Sequence, residues 1–460
     1  MTRMTTRVTH RVPHLVRGRR AALLSASLFA LALAGCDTVG DWFSKTPPPP
    51  LPGERVAVLV GESKVEPDPA LAGTPVALPA PQTNDAWPQA GGNPDHAMGH
   101  PALSASPVQA WTASVGSGSD DSEVLLSPPV AAQGRVYAMD AEAHVTALEA
   151  SSGRQFWRTD LRPEKRRGDS SGGGVAFADG RLYAATGYAE VMALDPANGA
   201  VLWRKKVAGP VRGAPTVAGG TVVVLTLDNQ TIALNAADGA PKWTHAGILE
   251  NAGLLGSASP AASGTLLVVP YSSGELFGLR LENGRVAWQE SLAAIRRGGA
   301  LSGLADIRGL PVIDRGQVFA IGHSGRMVAL DERVGARMWE ASVGGVQTPW
   351  LAGDYLFVID NDAAVVALTR KAGKVRWVSQ LEKRRDPKDN KSALVAWAGP
   401  VLAGGKLWLT GSHGVLVALD PADGRELSRS KLPGATYLPP VVANNTLYVL
   451  SDNGTLSAYR

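Results

Sequence analysis

A tripeptide, Ala-Leu-Asp or a close variant, returns eight times between residues 147 and 460, and this repeat constrains the fold more than any other feature of the chain. It reads Ala147-Leu148-Glu149, Ala193-Leu194-Asp195, Ala233-Leu234-Asn235 and Gly278-Leu279-Arg280, then Ala329-Leu330-Asp331, Ala367-Leu368-Thr369, Ala418-Leu419-Asp420 and Ala458-Tyr459-Arg460. Nine residues after each of the first six Leu stands a Trp: Trp157, Trp203, Trp243, Trp288, Trp339 and Trp377. Four residues before each Trp is a Gly, and the seventh unit keeps Gly424 but has Ser428 in the Trp place. Upstream of each unit an apolar pair such as Leu182-Tyr183 or Val318-Phe319 recurs. A Pro precedes most of these pairs, and the second unit, at Val175, lacks it. Turns such as Asn198-Gly199 and Asp238-Gly239 tolerate the positive φ of a tight hairpin. Each unit therefore reads as four short strands, with successive Trp spaced 46, 40, 45, 51 and 38 residues apart. Four strands in such a period, with no helical periodicity between them, predict an all-β, eight-bladed β-propeller with four antiparallel strands per blade.

The last unit has no Trp strand after Ala458. Trp111-Thr-Ala-Ser-Val115 parallels Trp339-Glu-Ala-Ser-Val343, so an N-terminal strand is expected to complete the final blade and remove an open edge. The recurring Trp are expected to fill gaps between blades rather than to stack on a ligand.

Before the repeat the composition changes twice. Residues 1–35 carry six Arg and no acid, and an apolar run from Ala21 to Ala34 follows the Arg pair at 19–20. That run is shorter than the roughly 20 apolar residues of a transmembrane helix, and the whole segment reads as a secretory signal. Without it the formal charge of +4 falls away, leaving 39 basic and 41 acidic residues. No global field then steers the chain to nucleic acid. Residues 36–85 are Pro-rich, with a tetraproline run at Pro47–Pro50, and read as a polyproline-like tether before a propeller over 86–460. The one Cys excludes a disulfide framework or a multi-Cys metal site.

Groups with catalytic chemistry are sparse. His323 and His413 occupy the same hairpin turn of two units, and Asn361-Asp362 and Asp452-Asn453 fill it in others, so polar turn chemistry accounts for them. Ser171-Gly172-Gly173-Gly174 lacks the Lys and helix of a phosphate loop. The basic runs 165–167 and 383–385 read as solvated loops. The residues alone lead to a propeller with no catalytic site or cofactor site in view.

Leu33-Ala34-Gly35-Cys36 resembles the lipobox of bacterial lipoproteins, which implies that Cys36 is acylated and anchors the chain to a membrane. Asp37 resembles an inner-membrane retention signal of enteric bacteria, yet outer-membrane residence facing the periplasm is expected. The repeat as a whole resembles the quinoprotein-type propeller superfamily. One branch comprises pyrroloquinoline-quinone dehydrogenases, and Trp87-Pro-Gln-Ala-Gly resembles a segment that opens many quinoprotein domains. The other branch is the BamB family, lipoproteins of the outer-membrane β-barrel assembly machinery. Ala110 to Gly118, Gly316 to Gly325 and Asp452 to Arg460 resemble that family's strands. This second resemblance implies a non-enzymatic scaffold without cofactor. Its partners would be a periplasmic POTRA domain of BamA and the other lipoproteins of the machinery. The family's two docking loops match Ala252-Gly-Leu254-Leu255-Gly256 and Leu304-Ala-Asp306-Ile-Arg308, with Leu255 and Arg308 in place of charged family residues. Leu254, Leu255 and Leu304 are thus expected to form an apolar docking patch with Asp306 and Arg308 as its polar rim.

Overall fold

The computed structural model describes residues 65–165, 171–250, 253–254, 256, 259–293 and 305–460. Among them, thirty-two strands form eight antiparallel four-stranded sheets. Among the described residues the helical content is a single 3-10 turn, Pro69–Leu71. The sheets are the blades of the propeller that the repeat predicts.

Blade 3 shows the common plan. Its strands Thr216–Ala218, Thr221–Leu225, Gln230–Asn235 and Pro241–Ala246 pair in chain order. The second strand is buried throughout, whereas the fourth alternates between exposed and half-buried positions. The inner strands are covered on both faces by neighbouring blades, so they read as continuous apolar runs. Up-and-down order places the turns after the first and third strands on one face, here the lower. The inter-blade connections and the turns after the second strands lie on the upper face.

Every residue of the repeated motif has a mechanical reason. The Ala is the cross-strand partner of its own blade's Trp, as in Ala233↔Trp243 and Ala329↔Trp339, and leaves room for the indole. The Leu that follows is almost fully buried in blades 1 to 7, Leu279 and Leu330 having no exposed surface, and Tyr459 takes its place in blade 8. The Asp or Asn accepts the backbone N–H two residues on, as Asp195 does from Ala197 at 2.8 Å and Asn235 from Ala237 at 2.9 Å, which shapes the hairpin. The Gly lies in that hairpin at positive φ, under the Trp of the preceding blade. At Gly239, φ is +73° and a Cβ would sit 2.7 Å from the Trp203 ring, so neither the backbone nor the packing admits a side chain. The Trp indole then donates to the carbonyl two residues past the next blade's motif Leu. Trp157 donates to Pro196 O (3.0 Å), Trp203 to Ala236 O (3.1 Å) and Trp243 to Leu281 O (2.9 Å). Trp288, Trp339 and Trp377 repeat it at Glu332, Arg370 and Pro421. Each Trp is a staple from one blade to the next.

Blade 8 consists of Val441–Ala443, Thr446–Leu450, Thr455–Tyr459 and, as its fourth strand, Gln109–Ser114. Trp111 opposes Ala458 and donates to Ala150 O of blade 1 at 3.2 Å, so the N-terminal strand brings its own staple. This arrangement also explains Ser428. A staple from blade 7 needs a hairpin between the third and fourth strands of blade 8, and there the third strand is followed by no such hairpin. The fourth strand of blade 7, Glu426–Lys431, is exposed along its whole length.

The N-terminal segment does more than close the ring. From Asn84 to Pro101 it visits the innermost strand of every blade, or the turn beside it, in ring order. Asn84 donates to Val442 O of blade 8 (2.6 Å), and Trp87 exchanges both backbone hydrogen bonds with Ala131 of blade 1. Phe177 of blade 2 donates to Pro88 O, and the Gln89 amide pairs with both backbone groups of Val217 in blade 3 at 2.9 Å. Pro94 O accepts from Ala262 of blade 4, Asp95 O from Ile313 of blade 5, the Gly99 carbonyl from the Trp350 indole of blade 6, and Pro101 O from Gly404 of blade 7. The segment is a clasp that makes one circuit of the channel.

Residues from Val65 to Asn84, expected within a free tether, already lie against the body. Asp68 pairs with Lys374 at 2.8 Å, and Thr74 O accepts from Arg376 at 2.7 Å, both on blade 6. That expectation is corrected for this stretch; the tether reading applies to residues 36–64, which lie outside the described residues. His100 fixes the crossing at blade 7: its Nδ1–H donates to Pro79 O (2.7 Å) while Nε2 accepts from Gly405 N (2.8 Å).

Two outcomes follow from the staple and the clasp. Trp339→Ala should cost roughly 3–5 kcal/mol, whereas Ser428→Trp, with no hairpin to dock on, should stay within about 0.5 kcal/mol of wild type; urea unfolding measures both. His96 lies inside the clasp, fully buried with Nδ1 on Pro311 O at 2.7 Å, and burial lowers its pKa to about 4. As pH falls below about 6.5 the unfolded chain takes up this proton first. The contribution is therefore complete above that pH and is lost on the way to 4, on the order of 3 kcal/mol. Burial raises the neighbouring Asp95 carboxyl, with the opposite sign, so the wild-type minus His96→Gln difference isolates the histidine. A difference that stays flat between pH 7 and 4 would refute this.

Candidate functional site

The upper face carries the two docking loops that the sequence singles out, and one carboxylate joins them to a third connection. Asp306, in the connection between blades 4 and 5, is 1% exposed. Its oxygens lie 3.1 and 3.0 Å from Arg212 Nη2, in the connection between blades 2 and 3. Asp306 Oδ2 also accepts the backbone N–H of Leu254, in the connection between blades 3 and 4, at 2.7 Å. The backbone of Asp306 continues the tie, its carbonyl accepting from His323 N of blade 5 at 3.0 Å. Three successive connections thus converge on a single buried side chain.

This changes the reading of two expected rim residues. Asp306 faces inward, because its charge is balanced by Arg212, itself 2% exposed; it shapes the loops and offers no charge to solvent. Arg308 is half-buried and lies over Gly256, where a Cβ would come 2.2 Å from its Nε. Loss of solvent lowers its pKa, the nearby Asp306 charge opposes that shift, and Arg212 adds to it. Leu254 is half-buried beside Asp306. Leu255, Leu304 and Cys36 lie outside the described residues.

The apolar surface lies next to Leu254, on residues that sequence reasoning passed over. Ile248 and Leu249 are 60% and 66% exposed, and Leu227, in the turn after the second strand of blade 3, is 53% exposed. They stand on a fixed platform. Asn229, fully buried at φ 56°, donates to Ile248 O (2.7 Å) and accepts from both the backbone and hydroxyl of Ser272 in blade 4. Ile248 N is held by Glu275 at 2.7 Å. Of the other exposed apolar residues, Val201, Val286 and Leu427 lie on outer strands, whereas Leu394, 69% exposed, lies in the connection between blades 6 and 7. The available sequence signal was Gly247-Ile248-Leu249-Glu250, where two large apolar residues follow a strand that has already ended. Arg212 gave no such signal, since 94 residues separate it from Asp306.

At the upper mouth of the channel a cavity of about 80 Å³ lies above the clasp, lined by Trp87, His96, Leu126, Pro128, Arg308 and Tyr437 among others. No cluster of three His, Cys, Asp or Glu suited to a metal ion occurs among the described residues. These surroundings do not fit a quinone cofactor with its metal ion. His413, one of the two turn histidines, packs edge-on to Trp397 at 5.2 Å, which is a structural contact.

The chain is similar to known proteins in sequence and in fold. The family model described as outer membrane protein assembly factor BamB matches residues 104–168, 141–379 and 381–460. The chain is 30% identical over 362 residues to the BamB of Yersinia pestis, covering 77% of this chain and 89% of the relative. It is 31% identical over 355 residues to that of Escherichia coli K12, covering 76% and 88%. Among solved structures, BamB from Moraxella catarrhalis superposes with a TM-score of 0.65 at 21% identity, covering 77% of this chain and all of that one. The quinohemoprotein alcohol dehydrogenase of Comamonas testosteroni gives 0.63 at 13% identity, covering 82% and 80%. At these identities both superpositions speak for the fold.

The buried pair generates a stability test. Asp306→Ala leaves Arg212 uncompensated in the interior and should cost roughly 3–5 kcal/mol. Arg212→Met combined with Asp306→Leu removes both charges and should cost clearly less than Asp306→Ala alone. Urea midpoints of the three proteins check it; a double variant less stable than the single would contradict the buried-pair account.

Proposed function

The chain belongs to the family of the outer membrane protein assembly factor BamB, and from that membership we propose that it docks on a POTRA domain of BamA through its upper face and assists the insertion of outer-membrane proteins. Its relatives are assembly factors and it is not an enzyme. Acylation at Cys36 anchors the chain, residues 36–64 form the tether, and the propeller faces the periplasm beside the machinery's other lipoproteins. The observation that carries the docking assignment is the exposed group Leu227, Ile248 and Leu249 beside Leu254. Exposed large apolar side chains on a platform tied by Asn229 and Asp306 present area to a partner without an ordering cost at the moment of contact. Leu255 and Leu304, from the two loops that resemble the family's docking loops, belong to the proposed docking set.

The chain also enters the propeller on the side away from the patch. Asp68 and Thr74 contact Lys374 and Arg376, at the lower end of the fourth strand of blade 6. Anchor and docking surface therefore do not compete for one face.

Interface side chains of this kind cost binding about 1–2 kcal/mol each when truncated and leave folding nearly intact. Ile248→Ala with Leu249→Ala should weaken affinity for the purified periplasmic POTRA region of the cognate BamA roughly tenfold or more, with an unchanged melting temperature. Unaltered affinity in the double variant would place docking on another surface.

A further inference from the structure

We propose that Arg308 receives a carboxylate of the docking partner at the upper mouth of the channel, so that the partner face opposite this protein pairs an acidic side chain with its apolar contacts. The inference rests on the docking reading above and adds the partner's charge to it.

The loops around Asp306 carry a charge imbalance. Arg212 and Arg308 lie around one carboxylate, Asp306, and both Asp306 oxygens are already taken by Arg212, one of them also by Leu254 N. Among the described residues Arg308 has no ion-pair partner within 4.0 Å, although it is half-buried. Arg212 Nη1 is likewise buried without a hydrogen-bond partner. The connection from Leu292 to Pro311 contains Asp306 as its sole acid against Arg296, Arg297 and Arg308, so its own sequence cannot neutralise this charge. A guanidinium partly withdrawn from water and left without an anion is costly, and a carboxylate arriving with a partner removes that cost.

Position selects a protein-borne carboxylate. Arg308 lies over Gly256, whose φ of +123° and missing Cβ leave space for the guanidinium. It lines the cavity with Leu126, Pro128 and Leu310, and Tyr437 beside them is 43% exposed. An acidic residue flanked by apolar ones matches that wall better than a small hydrated anion. The same upper face carries Ile248 and Leu249, so one partner surface spans both.

The test titrates the full-length chain with the purified POTRA region of the cognate BamA. Arg308→Gln should weaken binding roughly tenfold, Arg308→Glu further, and Arg308→Lys least. The salt dependence should flatten in Arg308→Gln, and Arg308→Gln should melt no lower than wild type. Gln and Glu variants that bind within twofold of wild type, while the Ile248/Leu249 variant loses binding, would overturn this proposal and leave docking standing. A wild-type chain that does not bind would overturn both. If inorganic phosphate raises the wild-type melt but not that of Arg308→Gln, with POTRA binding equal, the site belongs to a free anion and the proposal fails.

Discussion

A propeller blade contacts little beyond its two neighbours, so the ring stands or falls on what joins blade to blade. Here the joint is an indole laid on a glycine, with its N–H on a carbonyl of the adjacent hairpin. Seven of the eight junctions have it, from Trp111 over Gly153 to Trp377 over Gly424. The motif is periodic because the joint spans two units: the Trp of one needs the Gly and the hairpin carbonyl of the next. Substituting any member affects two blades.

The eighth junction, between blades 7 and 8, uses the chain itself. The N-terminal segment leaves the channel at Pro101 and Leu103, packs on Gly404, and receives Lys406 on Ala105 O before entering blade 8 as Gln109–Ser114. The same segment that closes the last blade thus bridges the seam that lacks a Trp. Together with its circuit of the innermost strands, this gives the ring a second and independent set of ties.

Most of the fold was legible in the sequence because the repeat is local: strands, hairpins, the Ala-Leu-Asp spacing and the parallel between Trp111 and Trp339 all lie within short windows. The clasp was not legible. Its contacts run through backbone groups and single side chains such as Gln89 and His96, with no periodicity, and its partners lie from 44 to more than 350 residues away. The upper face was legible in part. Leu254, Asp306 and Arg308 were found from a resemblance, but a charge read from sequence carries no direction. The distant Arg212 pairs with Asp306 in the interior, and the buried Asn229, with Glu275, holds the backbone that carries Ile248 and Leu249.

The clasp also bears on the order in which the protein can be made. Residues 84–114 leave the ribosome before any blade exists, yet their binding sites are spread over residues 130 to 460 and include the last strand, Thr455–Tyr459. Blades can form one after another as the chain lengthens, but the segment that ties them has no complete seat until the strand Thr455–Tyr459 is present. Loop closure over such a span is slow, so for that interval the nascent protein is an open arc with an unpaired edge at its leading blade. Growth from the other terminus would have had its tie in place last and its seat ready. The topology makes residues 84–114 wait for Thr455–Tyr459, and whatever shields the arc meanwhile must release it only once that strand is present.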